Sequence, residues 1–227
     1  MHKKHYIKYL LYLVLTAIAG FCFFVLYKTI SPTKDQTPGS KSLTMPFSSQ
    51  APQENWQEPW LNACEETSIV ITDNFYNGNK ITPTQAENQI LKILAVKEKS
   101  FGVSKDESME RIAEIVNLAE LSWQGTVSLN PLLNDIKKEI AENRPVIAPV
   151  DVRLLLNSPY KGTDIDYHVV VISGYDDKKQ EFIVQDPGIQ GGKNNRYGYQ
   201  NFFEAVNDYS PTEQPSGRKA VLFTSLR

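Results

Sequence analysis

Beyond residue 31 the chain carries one cysteine, Cys64, and one histidine, His168. A thiol becomes a nucleophile when a base takes its proton and a third group orients that base. The third group is sought near His168, in the stretch from Tyr167 to Gly188, YHVVVISGYDDKKQEFIVQDPG. Two apolar, β-branched runs flank an Asp-Asp-Lys-Lys knot, the pattern of an antiparallel hairpin. With the turn centred on Asp177, paired residue numbers sum to 354, so Tyr175 faces Lys179, Ile172 faces Phe182 and His168 faces Asp186. Directly opposed residues hold their Cβ atoms roughly 5 Å apart, and a loop one residue longer leaves the pair diagonal but within reach. Both faces of the hairpin are apolar, which places it inside a sheet. The competing structural reading makes His168 a satisfied core histidine and Asp186 the start of a turn with Pro187 and Gly188.

Cys64 follows Asn62, which can cap a helix, and Glu65 stands three residues after that Asn in a capping-box-like pattern. The thiol then falls in the first helical turn, where the macrodipole lowers a thiol pKa. Alternatively it is a small buried hydrophobe. An oxyanion would be met by the Cys64 N–H and a side-chain amide, for which Gln50, Gln53 and Gln57 are candidates that spacing does not separate. Glu65 and Glu66 are neighbours on a helix and do not face each other, so they read as capping or solvated residues. One Cys and one His do not make a zinc site, and no carboxylate cluster completes one. No metal or cofactor is expected.

These groups must be positioned by an α+β domain. After a loop from Met45 held by Trp56 and Trp60, the Cys64 helix carries Ile69, Val70 and Phe75 inward and stops at Asn77-Gly78. Thr82-Pro83-Thr84-Gln85 starts a second helix, with Ile90, Leu91 and Leu94 as its buried stripe. A third is read over 107–121, with Ile112, Ile115, Val116 and Ala119 inward, and a fourth opens at Asn130-Pro131 with Leu133, Ile136 and Ile140 and ends at Arg144-Pro145. A strand over 145–150, the hairpin, a short helix over 199–206 and a strand over 220–224 follow. Helices come first and strands second, which indicates α+β rather than alternating α/β architecture.

The composition, 41% hydrophobic and 22% charged, excludes disordered and fibrous classes. Before residue 31 every charge is basic (Lys3, Lys4, Lys8, Lys28); the remainder has 20 basic against 26 acidic residues, a net of −6, which gives no support to nucleic-acid binding. Residues 9–27, YLLYLVLTAIAGFCFFVLY, form an uncharged 19-residue run of membrane-spanning length. The basic tail at 1–8 and the terminal tyrosines favour a single-pass anchor in the cell membrane with everything after Lys28 outside. A cleaved signal peptide is the rival, because Ala17 and Ala19 give an A-x-A pattern, but the apolar run continues past that site. Cys22 reads as an apolar residue in lipid. Residues 28–44 form a polar linker, and 45–227 the domain.

The segments SQAP, ACEETS, YHVVVISGYDD, QDPG and RYGYQNFFEAV, in this order, resemble the secreted or membrane-anchored peptidases similar to the bacteriocin-leader-processing cysteine peptidases, a branch of the papain-like clan. The resemblance covers roughly residues 44–227. It implies a papain-like fold with Cys64 as nucleophile, His168 as base, Asp186 as its orienting group and Gln50 in the oxyanion hole. Gln50 stands fourteen residues before Cys64, farther than in papain itself. The expected activity is thiol-dependent cleavage of peptide bonds outside the membrane, with a peptide or protein as substrate. Two alternatives accompany it: an amidase or acyltransferase acting on cell-wall peptides through the same triad, and a catalytically silent peptide-binding domain.

Overall fold

The computed structural model describes residue 16 and residues 37–156, 158–212 and 216–227. Apart from Thr16, the 9–27 run and Cys22 lie outside them. No helix among the described residues is long and apolar enough to cross a membrane.

From residue 37 onward the chain builds an antiparallel sheet with helices packed against it. In chain order the elements are β1 (Ser40–Ser42), a 3-10 turn (Trp60–Asn62), α1 (Cys64–Tyr76), α2 (Pro83–Phe101), α3 (Met109–Leu118) and β2 (Trp123–Leu129). Then come α4 (Leu133–Ala141), β3 (Val146–Asp151), β4 (Tyr167–Asp176), β5 (Glu181–Gln185), β6 (Asn195–Gly198), α5 (Tyr199–Ala205) and β7 (Ala220–Leu226). The strands run β2-β7-β3-β4-β5-β6, and β1 pairs with the far end of β4. The expected α+β architecture is present.

Local chemistry accounts for the starts of α2 and α3. Thr82 accepts the Gln85 N–H while the Gln85 side chain accepts the Thr82 N–H, and Pro83 sits at the first helical position. Ser108 caps α3 through the Arg111 N–H. The buried apolar residues of α2 are Ala86, Ile90, Ile93 and Leu94, and Lys97 is buried with them; Leu91, expected inward, is exposed because Ile93 occupies the stripe. Three strands lack a sequence signal. β1 lies within the segment read as linker and is ordered by backbone pairing to β4. β2 and β6 alternate weakly, and their partners β7 and β5 define them.

The hairpin sits inside the sheet, as both apolar faces require: β4 is paired to β3 on one side and β5 on the other. Its register differs from expectation. The turn takes residues 177–180, with Gln180 at φ 57°, and Tyr175 pairs with Phe182, not Lys179. A β-bulge at Ser173 then shifts the pairing by one, so that Ile172 meets Val184 and Val171 meets Gln185. The bulge matters because strand faces alternate with period two. Without it Asp186 would share a face with Val169 and Val171; with it Asp186 shares the face of Val170 and His168. The two residues are diagonal, not directly opposed.

Candidate active site

Cys64 is the first residue of α1, which packs against β4, where Ser68 Oγ donates to Val169 O at 3.2 Å. Ala63 occupies the cap position without a side-chain hydrogen bond, so the anticipated Asn62 cap is not made. Asn62 lies in the 3-10 turn and donates to Glu58 Oε1. Placement of Cys64 at the helix start therefore comes from packing of the turn and helix. His168 stands near the start of β4. Cys64 and His168 line one pocket of about 200 Å³, together with Gln50, Trp56, Asp106, Tyr160, Ile165, Tyr167, Gly188 and Ile189.

Asp186 lies just past β5 and is almost wholly buried. Its Oδ1 meets His168 Nε2 at 2.9 Å and accepts from Tyr160 Oη at 2.5 Å and from the Gly188 N–H at 3.2 Å; Oδ2 accepts from Tyr197 Oη at 3.0 Å. Burial pushes its pKa up, but His168 and the two tyrosine hydroxyls outweigh burial and leave the carboxyl below its ordinary range. Burial, and then the charge on Asp186, raise both tyrosines, so they stay protonated donors. With Nε2 committed to Asp186, Nδ1 is the ring nitrogen left to exchange a proton with a thiol. Gly188 is required by space: a Cβ there would lie 2.2 Å from Tyr160 Oη and 2.9 Å from His168 Nε2.

Gln50 reaches the site from the loop before α1, tied by its backbone N–H to Pro187 O at 2.8 Å. Its Nε2 donates to Trp60 O at 3.0 Å and Leu61 O at 2.8 Å, and its buried Oε1 has no hydrogen-bond partner among the described residues. In this arrangement Gln50 holds the 3-10 turn that delivers Cys64. Gln53 and Gln57 are exposed and do not line the pocket.

Two expectations are overturned at Cys64. Glu65 and Glu66 are both 0% exposed, neither capping nor solvated. Glu66 pairs with Lys97 at 2.6 Å, while Glu65 Oε2 lies 3.0 Å from Cys64 Sγ and Glu65 Oε1 accepts the Glu107 N–H at 3.0 Å. The thiol pKa, expected to fall, is pushed well up, first by burial and then by Glu65. Burial also drives Glu65 itself, with help from Glu66 and Asp106, up to about 8. Asp106 on the pocket wall is raised to about 6 by burial and by Asp166. No group of three or more His, Cys, Asp or Glu able to hold a metal ion occurs among the described residues.

A thiol and an oriented imidazole in one pocket are the apparatus of acyl transfer by a cysteine enzyme. The profile of the Peptidase C39-like family matches residues 42–216, most of the chain. The chain belongs to the Peptidase C39-like family. It is a cysteine peptidase with the papain-like α+β fold, as its resemblance implies. Among solved structures it is similar to a Bacillus anthracis protein assigned as a C39-like peptidase, at 13% identity and a TM-score of 0.52, covering 81% of this chain and 96% of that one. At that identity the likeness concerns the fold. Xylellain, a cysteine protease from Xylella fastidiosa, aligns at 11% identity with a TM-score of 0.39, covering 85% of this chain and 88% of that one. No curated protein matches the chain. Reading the sequence missed Tyr160, Tyr197, Asp106 and the burial of Glu65; Tyr197 and Glu65 lay in the quoted motifs RYGYQNFFEAV and ACEETS, whereas Tyr160 and Asp106 lay in none.

Proposed function

We infer that this C39-like peptidase hydrolyses peptide bonds outside the cytoplasmic membrane through Cys64, His168 and Asp186, with a peptide or protein as substrate and the N-terminal run as its anchor. The observation that carries the reading is the pocket shared by Cys64 and His168, with the far side of the His168 ring held by Asp186. The thiol gives its proton to His168 Nδ1, and the thiolate attacks the scissile carbonyl. His168 then returns the proton to the leaving amine, and water, activated by the same ring, releases the acyl group.

The oxyanion is met by the Cys64 N–H at the start of α1, which a helix leaves without an intrahelical partner. Gln50 is the second donor once it releases one of its two carbonyls. Peptide hydrolysis by the full chain, abolished by Cys64→Ala and by His168→Ala, tests the triad. The same assay with a free amine present separates hydrolysis from acyl transfer, since a transferase would yield the amine adduct. Protease added to intact cells should digest the domain; protection of the domain would refute the outward orientation.

A further inference from the structure

Two carboxylates follow the nucleophile directly, both are fully buried, and one cation serves them. Lys97 Nζ lies 2.6 Å from Glu66 and also donates to Ser104 O at 3.2 Å. The groups facing Glu65 are Cys64 and Glu66 from α1, Lys97 from α2, Asp106 and Glu107 ahead of α3, Tyr167 from β4, and Tyr209. Lys97 is the one cation in that set, and Glu66 holds it. An ionised Glu65 would therefore place a second anion 3.0 Å from a thiolate that is itself only 5% exposed. Charges so close in a buried setting repel strongly, and the proton stays with one of them.

Resting on the reading of Cys64 as nucleophile, we propose that Glu65 is an uncharged carboxylic acid in the working enzyme and donates its Oε2–H to the Cys64 thiolate. Proton accounting is complete within the site. The S–H proton moves to His168 Nδ1, the sulfur becomes an acceptor, and Glu65 turns from acceptor to donor while its Oε1 keeps the Glu107 N–H. When the S–C bond forms, Glu65 retains its proton. The rise of Glu65 to about 8 agrees with this state at neutral pH and sets where it fails: above that pH a carboxylate faces the sulfur. The rival arrangement is an ionised Glu65 that accepts the thiol S–H and holds Cys64 unreactive.

The two differ in what a neutral amide does. In the full-length protein, carboxamidomethylation of Cys64 by iodoacetamide, read on the Cys64 peptide by mass, is compared for wild type, Glu65→Gln and Glu65→Leu. The amide is a weaker donor than the acid, so at pH 6.5 Glu65→Gln should be about threefold slower and Glu65→Leu, with no donor, about thirtyfold slower. Above pH 8 Glu65→Gln should retain peptide hydrolysis that the wild type loses. A Glu65→Gln protein tenfold faster than wild type at pH 6.5 overturns the proposal, because it shows that a negative charge had been removed. A Leu variant as fast as wild type overturns it too.

Should Glu65→Leu fail to fold, infrared spectroscopy decides. A protonated-carboxyl C=O band in the wild type at pH 6.5, missing in Glu65→Gln and shifted to higher frequency by Cys64→Ala, supports the hydrogen bond; no such band, or one indifferent to Cys64, refutes it. Alkylation unaffected by His168→Ala would instead sink the triad reading, and the infrared band would still judge Glu65.

Discussion

Asp186 accepts four hydrogen bonds inside the protein, and its replacements separate charge from geometry. In Asp186→Ala the His168 ring, the hydroxyls of Tyr160 and Tyr197 and the Gly188 N–H all lose their acceptor. A buried donor left unmade costs about 1–3 kcal/mol. Four such donors, partly relieved by water entering from the pocket, put the loss of stability near ~4 kcal/mol. A free His168 ring should also lower kcat/KM by about a thousandfold, or ~4 kcal/mol of transition-state stabilisation.

Asp186→Asn can keep its amide oxygen at the Oδ1 position, where three donors converge, and turn the amide nitrogen toward the Tyr197 oxygen. What is lost is charge assistance, which roughly doubles a hydrogen bond's strength. The expected loss is about tenfold, or roughly 1.4 kcal/mol. Without the carboxylate the imidazolium is less stabilised, so activity should also fall away at lower pH on the alkaline side. Urea unfolding and kcat/KM on a cleaved peptide over pH 5 to 9 measure both effects. Asn as damaging as Ala would show that Asp186 acts through its charge; wild-type kinetics in both would remove Asp186 from the site.

Four further outcomes follow from the geometry. Tyr160→Phe removes the 2.5 Å bond to Asp186 Oδ1 and should lower kcat/KM about three- to tenfold with KM little changed, by steady-state kinetics. Gly188→Ala drives a methyl into Tyr160 Oη and the His168 ring and should cut activity about a hundredfold or more, while circular dichroism still shows a folded protein. Glu65 binds its proton more tightly folded than unfolded, so its contribution to stability is fully present below pH ~4.5 and is lost as pH rises through about 8. Wild-type Tm should accordingly drop more steeply than that of Glu65→Gln between pH 5 and 8, as thermal melts across that range would reveal. Asp106, raised to about 6, gives the pocket negative charge above that pH, so peptides with Lys or Arg beside the scissile bond should be cleaved faster than Glu counterparts at pH 7.5, and Asp106→Asn should erase the preference.

The sequence by itself determined what depends on local pattern. The Thr82-Pro83-Thr84-Gln85 start of α2, the apolar periodicity of α3 and α4, and the two β-branched runs of the hairpin are short-range signals, because capping and face alternation act within a few residues. The scarcity of Cys and His singled out Cys64 and His168 before any fold was known. Tertiary structure decided the rest. The Ser173 bulge sets whether Asp186 shares a face with His168, and a bulge is a property of two paired strands, not of either run. β1 and β2 have weak patterns of their own and exist because β4 and β7 offer them unpaired backbone. Glu65 was misread for the same reason: helical geometry says only that Glu65 and Glu66 point in different directions. Whether those directions meet water or a packed interior with one lysine depends on α2, the segment before α3, and β4, which the chain brings together from 30 to 100 residues away.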